Sequence, residues 1–140
     1  MSAPGGTPQR VSIHVDGLEH GTLPIPAASR IGSLIATGGV RGVDPATGQM
    51  PDDAAAQVRL MFDNLVRIVE AAGGGAGSIL KVDVRVVERS VREHLDAVWV
   101  EHFPDPASRP ARHMQVATLA PGMQVQCEAL AVTVSEEVNL

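Results

Sequence analysis

Val11-Ser12-Ile13-His14-Val15 alternates apolar with polar, the period-two pattern of a strand with one buried face, and Asp16-Gly17 follows as a turn. Residues 28–31 and 34–40 read as two strands of a hairpin turning at Gly32-Ser33, with Gly38-Gly39 marking a bulge or a close backbone approach. In Asp44-Pro45-Ala46-Thr47-Gly48 the proline sets φ and the glycine accepts positive φ, which makes a turn. The period then changes. Over 52–72, Val58, Met61, Phe62, Leu65, Ile68, Val69 and Ala72 form one apolar stripe while Arg59, Asp63, Arg67 and Glu70 lie off it, so a helix is predicted. Asp52 and Asp53 suit its N-terminal dipole, and Gly73-Gly74-Gly75 stops it.

Period two returns in Leu80-Lys81-Val82-Asp83-Val84-Arg85-Val86-Val87, predicting a strand with Val82, Val84 and Val86 inward. Ser90 and Glu93 have the spacing of a capping box and open a second helix to about His102, striped by Val91, Leu95, Val98 and Trp99. Pro104-Asp105-Pro106 breaks it. Two further strands, 114–119 and 124–134, flank a turn at Pro121-Gly122. Strand–helix–strand units favour right-handed crossovers, so both helices are expected on one face of a mixed sheet in an α+β fold. The sheet's other face carries apolar residues too. Two helices cannot cover both faces, and other copies of the chain are expected to bury the open one. A flexible N-terminal segment over 1–10 and a single domain over 11–140 complete the expected organisation.

Composition narrows the function. Apolar residues make up 44% of 140, enough for one domain with a proper core. Two Phe, one Trp and no Tyr leave little for stacking single-stranded bases, and a net charge of −5 disfavours binding a phosphate backbone. No nucleic-acid partner is expected. One cysteine, Cys127, excludes an intrachain disulfide and fits a reducing compartment. Its alternation with Gln126 and Glu128 puts it in the core, where an unpaired thiol is inert. The apolar runs are too short for a membrane span, and 1–9 lacks the basic start and apolar block of a signal peptide, so a cytoplasmic protein is expected. His14, His20, His94, His102 and His113 show no paired ligand spacing, which argues against a metal. The glycines from 73 to 77 lack a following Gly-Lys-Ser/Thr and form no phosphate loop.

Ser108-Arg109-Pro110-Ala111-Arg112-His113 carries the most chemistry. Arg112 stands at a strand entrance behind a stiff Pro-Ala approach, and its planar fork matches a carboxylate in bidentate fashion. Arg109 reads as a solvated or structural charge. The same stretch, followed by Val125-Gln126-Cys127-Glu128-Ala129-Leu130-Ala131-Val132, resembles the C-terminal signature of the Rid (RidA/YjgF/UK114-type) proteins. Ile31-Gly32-Ser33-Leu34-Ile35-Ala36-Thr37-Gly38-Gly39, the Asp44–Gly48 turn and the helix from Ala56-Gln57 to Ala72-Gly73 resemble its other motifs in order. The likeness runs from about Pro24 to Val134.

The resemblance implies the bacterial chorismate mutase-like (YjgF) fold and a homotrimer with a barrel-like core and clefts between subunits. It implies cofactor-independent hydrolysis of reactive 2-imino and enamino acids to 2-oxo acids and ammonia. It puts the substrate carboxylate on Arg112, with Gly39 and Ile25 around the ligand. His113, adjacent to Arg112, is the candidate acid/base among the histidines, and His20, ahead of Pro24-Ile25-Pro26, is a candidate to enter the same cleft. Two departures bear on this. The family's catalytic Glu lies two residues before the Glu-Ala pair, a position that falls here on Gln126, which can bind a water but cannot take its proton. Water activation then passes to His113, to a backbone carbonyl or to Glu128, or the protein binds a metabolite without turning it over. Where the deaminases carry a pocket Tyr, this chain has Ile25. Between Arg112 and Val116 the chain is also one residue shorter than the family pattern. A one-residue shift exchanges strand faces, which leaves either Arg112 or His113 as the cleft-facing side chain.

Overall fold

The chain threads β1 (Arg10–Ile13), β2 (Ala28–Ile31), β3 (Leu34–Thr37), β4 (Val40–Arg41), α1 (Ala54–Ala71), a single 3-10 turn at Ala76–Ser78, β5 (Ile79–Val86), α2 (Val91–His102), β6 (Ala111–Val116) and β7 (Val125–Val132). The computed structural model describes residues 9–134. Residues 1–8 and 135–140, with most of the expected N-terminal segment and the expected domain end, lie outside the described residues. Arg10 is already paired with Ile31.

Asp53 starts α1 from an extended backbone (φ −74°, ψ 125°), and its carboxylate accepts the Ala56 N–H at 3.2 Å. The helix ends where Gly73 turns through φ 100°, a conformation that disfavours any side chain. Its whole predicted stripe is buried, in one core cluster with Val82, Val84 and Val86 of β5 and Val125, Cys127 and Ala129 of β7. Phe62 and Trp99 join the two helices edge to face at 5.9 Å. Two buried amides fix α1 against the strands. Gln57 donates to the Pro51 and Gly122 carbonyls and accepts from the Gln124 N–H, while Asn64 donates to the Arg41 and Val43 carbonyls.

The sheet runs β1-β2-β3-β7-β5-β6, with β4 also on β7. All pairs are antiparallel except β5 with β6, which α2 connects. The fold is thus the expected α+β mixed sheet with both helices on one face. No helix among the described residues is long and apolar enough to cross a membrane.

Three local expectations are corrected. The strand predicted over 114–119 runs instead from Ala111 to Val116, because pairing with Lys81–Val86 captures Arg112 and His113 into the sheet. No capping box forms at Ser90. Its backbone is already helical (φ −61°, ψ −20°), so its hydroxyl makes no cap bond, and a Val91 N–H to Glu88 carbonyl turn opens α2. The strand predicted over 34–40 is broken. Residues 37–39 face only 128 and 129 of β7, a β-bulge between the Ala36–Leu130 and Val40–Cys127 pairs. There the Thr37 hydroxyl, not a backbone carbonyl, accepts the Ala129 N–H.

Candidate functional site

Strand pairing arranges the open face of the sheet in rows, since residues directly opposite in neighbouring strands share a face. One row crosses β4, β7, β5 and β6 as Arg41, Gln126, Arg85 and Gln115. The next, about 7 Å along the strands, crosses β7, β5 and β6 as Glu128, Asp83 and His113. Beyond it Lys81 on β5 lies beside Leu130, and toward β3 and β2 the face turns apolar, with Leu130 beside Ala36, then Val132 beside Leu34 and, on β2, Ile31. Leu34, Leu130, Val132 and Ile31 are all exposed.

Both polar rows line one depression. A hollow of about 230 Å³ is bounded by Asp83, Arg85, His113, Gln115 and Glu128, and a tighter one beside it by Gly39, Asp83, Arg85, Gln126 and Glu128. The bulge makes room here. A Cβ on Gly39 would stand 2.6 Å from the Gln126 side-chain nitrogen, so the missing side chain lets that amide lie against the backbone. Asp83 holds the middle of its row, 3.8 Å from the Lys81 ammonium and 4.0 Å from His113 Nδ1. One row therefore offers guanidinium and amide donors, and the other carboxylates and an imidazole. That pairing suits an anion bound beside a proton-transfer step.

Of the residues expected around a ligand, Gln126, Glu128, His113 and Gly39 come together in this depression. Arg112 does not join them. In parallel register it sits opposite Val82, on the helix side of the sheet. There its Nη2 donates to Asp96 Oδ1 at 2.6 Å and its guanidinium lies 4.9 Å from the centre of the Trp99 ring. The fork expected to be open to a ligand is engaged by the protein's own acid. Arg109 is structural as expected, donating to the Phe103 and Pro104 carbonyls.

His20 and Ile25 line a different hollow of about 220 Å³ under the chain between β1 and β2. His20 reaches toward the bulge, with Nε2 3.6 Å from a Cβ built on Gly38. Partial burial, and then the Arg41 charge, push its imidazole below the usual histidine range. Arg41 itself donates to the Glu19 carbonyl. The two hollows share no lining residue.

Asp83, Arg85, Gln115 and Arg41 were not singled out from the sequence. Lys81, Asp83 and Arg85 carried a signal nonetheless, since a strand that buries every second valine while charging each position between them builds one charged face. Cys127 is buried between Val125 and Ala129, and burial, with the Glu128 charge second, pushes its thiol up. We expect no labelling of the native protein by a disulfide reagent at pH 8 and one full equivalent once it is denatured. Rapid native labelling would show that β7 opens.

Comparison with known proteins supplies the context. Residues 25–133 match the family described as Endoribonuclease L-PSP. The chain is 39% identical over 107 residues to 2-iminobutanoate/2-iminopropanoate deaminase of Escherichia coli K12, covering 73% of this chain and 81% of that protein. Its fold is similar to the crystal structure of the E. coli YjgF gene product, with a TM-score of 0.80 and 31% identity over 87% of this chain and 98% of that one. It is similar as well to E. coli TdcF with bound serine, with a TM-score of 0.81 and 27% identity over 89% of this chain and 99% of the other.

Proposed function

Since the chain belongs to the Endoribonuclease L-PSP family, the Rid proteins that its sequence resembles, we propose that it hydrolyses the C=N bond of small carboxylate-bearing imines and enamines without a cofactor. Water adds to the imine carbon, the C–N bond breaks, and ammonia and a 2-oxo acid leave. The observation that carries this reading is the pair of polar rows, donors in one and proton acceptors in the other, whose side chains line two adjoining hollows. The likeness to a named imine deaminase supports the reaction class, and the serine bound in TdcF is itself a small carboxylate.

In this reading Arg85 takes the substrate carboxylate, flanked by the amides of Gln126 and Gln115. Gln126, whose amide lies against the bare backbone of Gly39, holds the attacking water. Glu128, next on the same strand face, accepts its proton, and His113, 4.0 Å from Asp83, returns one to the departing nitrogen. Arg112 binds no substrate here. It ties β6 to α2 and so fixes which face His113 occupies. The exposed Ile31, Leu34, Leu130 and Val132 adjoin the depression, and their burial between copies in a homotrimer would close it from water. Nucleic acid is a poor substrate for so acidic and ring-poor a chain.

A binding role without turnover is the second reading, favoured by the amide of Gln126 where the deaminase pattern has a carboxylate. Both are tested by generating 2-imino acids with an amino-acid oxidase and trapping what survives as semicarbazone. We expect the protein to deplete the trapped imine. No depletion by wild type, with a gain of ten-fold or more in Gln126→Glu, would establish the binding role. No depletion by either protein would sink the deaminase reading.

A further inference from the structure

Another cavity, of about 410 Å³, opens at the free edge of β6, lined by Arg89, Arg92, Met114, Gln115 and Val116. Gln115 also lines the depression of the candidate site, so the two hollows meet at that amide. The segment leading into α2 curls through an Arg92 N–H to Arg89 carbonyl bond of 3.0 Å. Three residues apart on a helical turn, the two side chains become neighbours.

Five of the ten arginines spend their guanidinium on the protein, and Arg10 and Arg67 are among the five with no acceptor among the described residues. Arg30 and Arg41 donate to carbonyls, Arg109 likewise, and Arg59 and Arg112 pair with Glu101 and Asp96. Arg85, Arg89 and Arg92, grouped around Gln115, donate to no acceptor among the described residues. The nearest acids in sequence, Glu88 and Glu93, form no ion pair with them. Three unpaired guanidiniums about one amide repel one another, and that repulsion is relieved by anionic groups placed between them.

We propose that Arg89 and Arg92 form a second anion subsite, so that the preferred substrate is a 2-imino acid whose own side chain ends in a carboxylate. This rests on the deaminase reading for the reacting group. The α-carboxylate takes Arg85, the C=N carbon faces Gln126 and Glu128, and the distal carboxylate crosses Gln115 to the arginine pair. Met114 and Val116, on the opposite side of β6 from Gln115, complete the lining of the cavity at the strand's free edge, so the arm passes over that edge. A neutral side chain would leave the pair unmatched, so selection comes from the distal charge and not from size.

The experiment compares kcat/KM for imines made enzymatically from L-aspartate and L-glutamate with those from L-alanine and 2-aminobutyrate. We expect the diacid imines to be favoured ten-fold or more, and the exposed double variant Arg89→Ala/Arg92→Ala to lose that preference while its rate on the monocarboxylates stays within two-fold. An unchanged ratio in the variant overturns the subsite. Calorimetric titration with 2-oxoglutarate and 2-oxobutanoate needs no turnover and separates the two readings. If imine hydrolysis is absent, tighter binding of 2-oxoglutarate that disappears in the double variant still supports the subsite. Equal binding of both oxo acids by both proteins overturns it and leaves the hydrolysis reading intact.

Discussion

Phe62→Ala should cost about 3–5 kcal/mol of folding stability, the usual loss for truncating a fully buried ring. Phe62 is fully buried, its ring 5.9 Å from Trp99 and 5.4 Å from His102, at the seam where α1 meets α2. The hole cannot collapse easily, because Val58, Met61 and Leu65 around it are fully buried on the same helix and already engaged. Trp99 leans on this ring and in turn supports the Arg112 guanidinium, so the damage reaches β6. Urea unfolding followed by tryptophan fluorescence checks it, with variants compared at one chain concentration because any association of copies adds to apparent stability. A loss under about 1 kcal/mol would mean that the helices close over the cavity, and that the seam is looser than its packing indicates.

The same seam shows what the chain discloses about itself. The α1 stripe, the alternating valines of β5 and the inward Val125, Cys127 and Ala129 of β7 were legible, since burial on one face imposes a period that survives in the residue order. Gly38-Gly39 gave notice of the bulge for a related reason, as only glycine lets the Gln126 amide come so near. Ser90 misled because its residue type fits a cap while its backbone is part of the turn before it. Arg112 is the instructive case. It has the parity of Met114 and Val116, so period two alone sends it inward, whereas the family likeness points it at the ligand. The structure follows parity, with Arg112 opposite Val82 on the helix side. The composite site was hidden for a different reason. Arg85 meets Gln126, and Asp83 meets both Glu128 and His113, only through pairings between strands far apart in the chain, which no local pattern encodes.

Arg85→Ala should lower kcat/KM for imine hydrolysis by about 10- to 100-fold, the equivalent of losing charge-assisted hydrogen bonds to the substrate carboxylate, with unfolding unchanged. Arg85 is exposed, so its loss opens no cavity in the core and is read in binding. KM should carry most of the effect, because the carboxylate is present in ground and transition states alike. Arg85→Lys should recover part of it, keeping the charge but losing the fork. Arg112→Ala should behave in the opposite way. It removes an ion pair to the half-exposed Asp96 and the contact with Trp99, together about 1 kcal/mol after solvent screening. Its activity should fall less than that of Arg85→Ala and recover when assayed at lower temperature, where β6 stays docked. The pair of variants decides the anchor. If Arg112→Ala abolished hydrolysis with its melting curve intact while Arg85→Ala remained fully active, the carboxylate would be held from the helix side of β6, and the open-face rows would have to be given up as the binding surface.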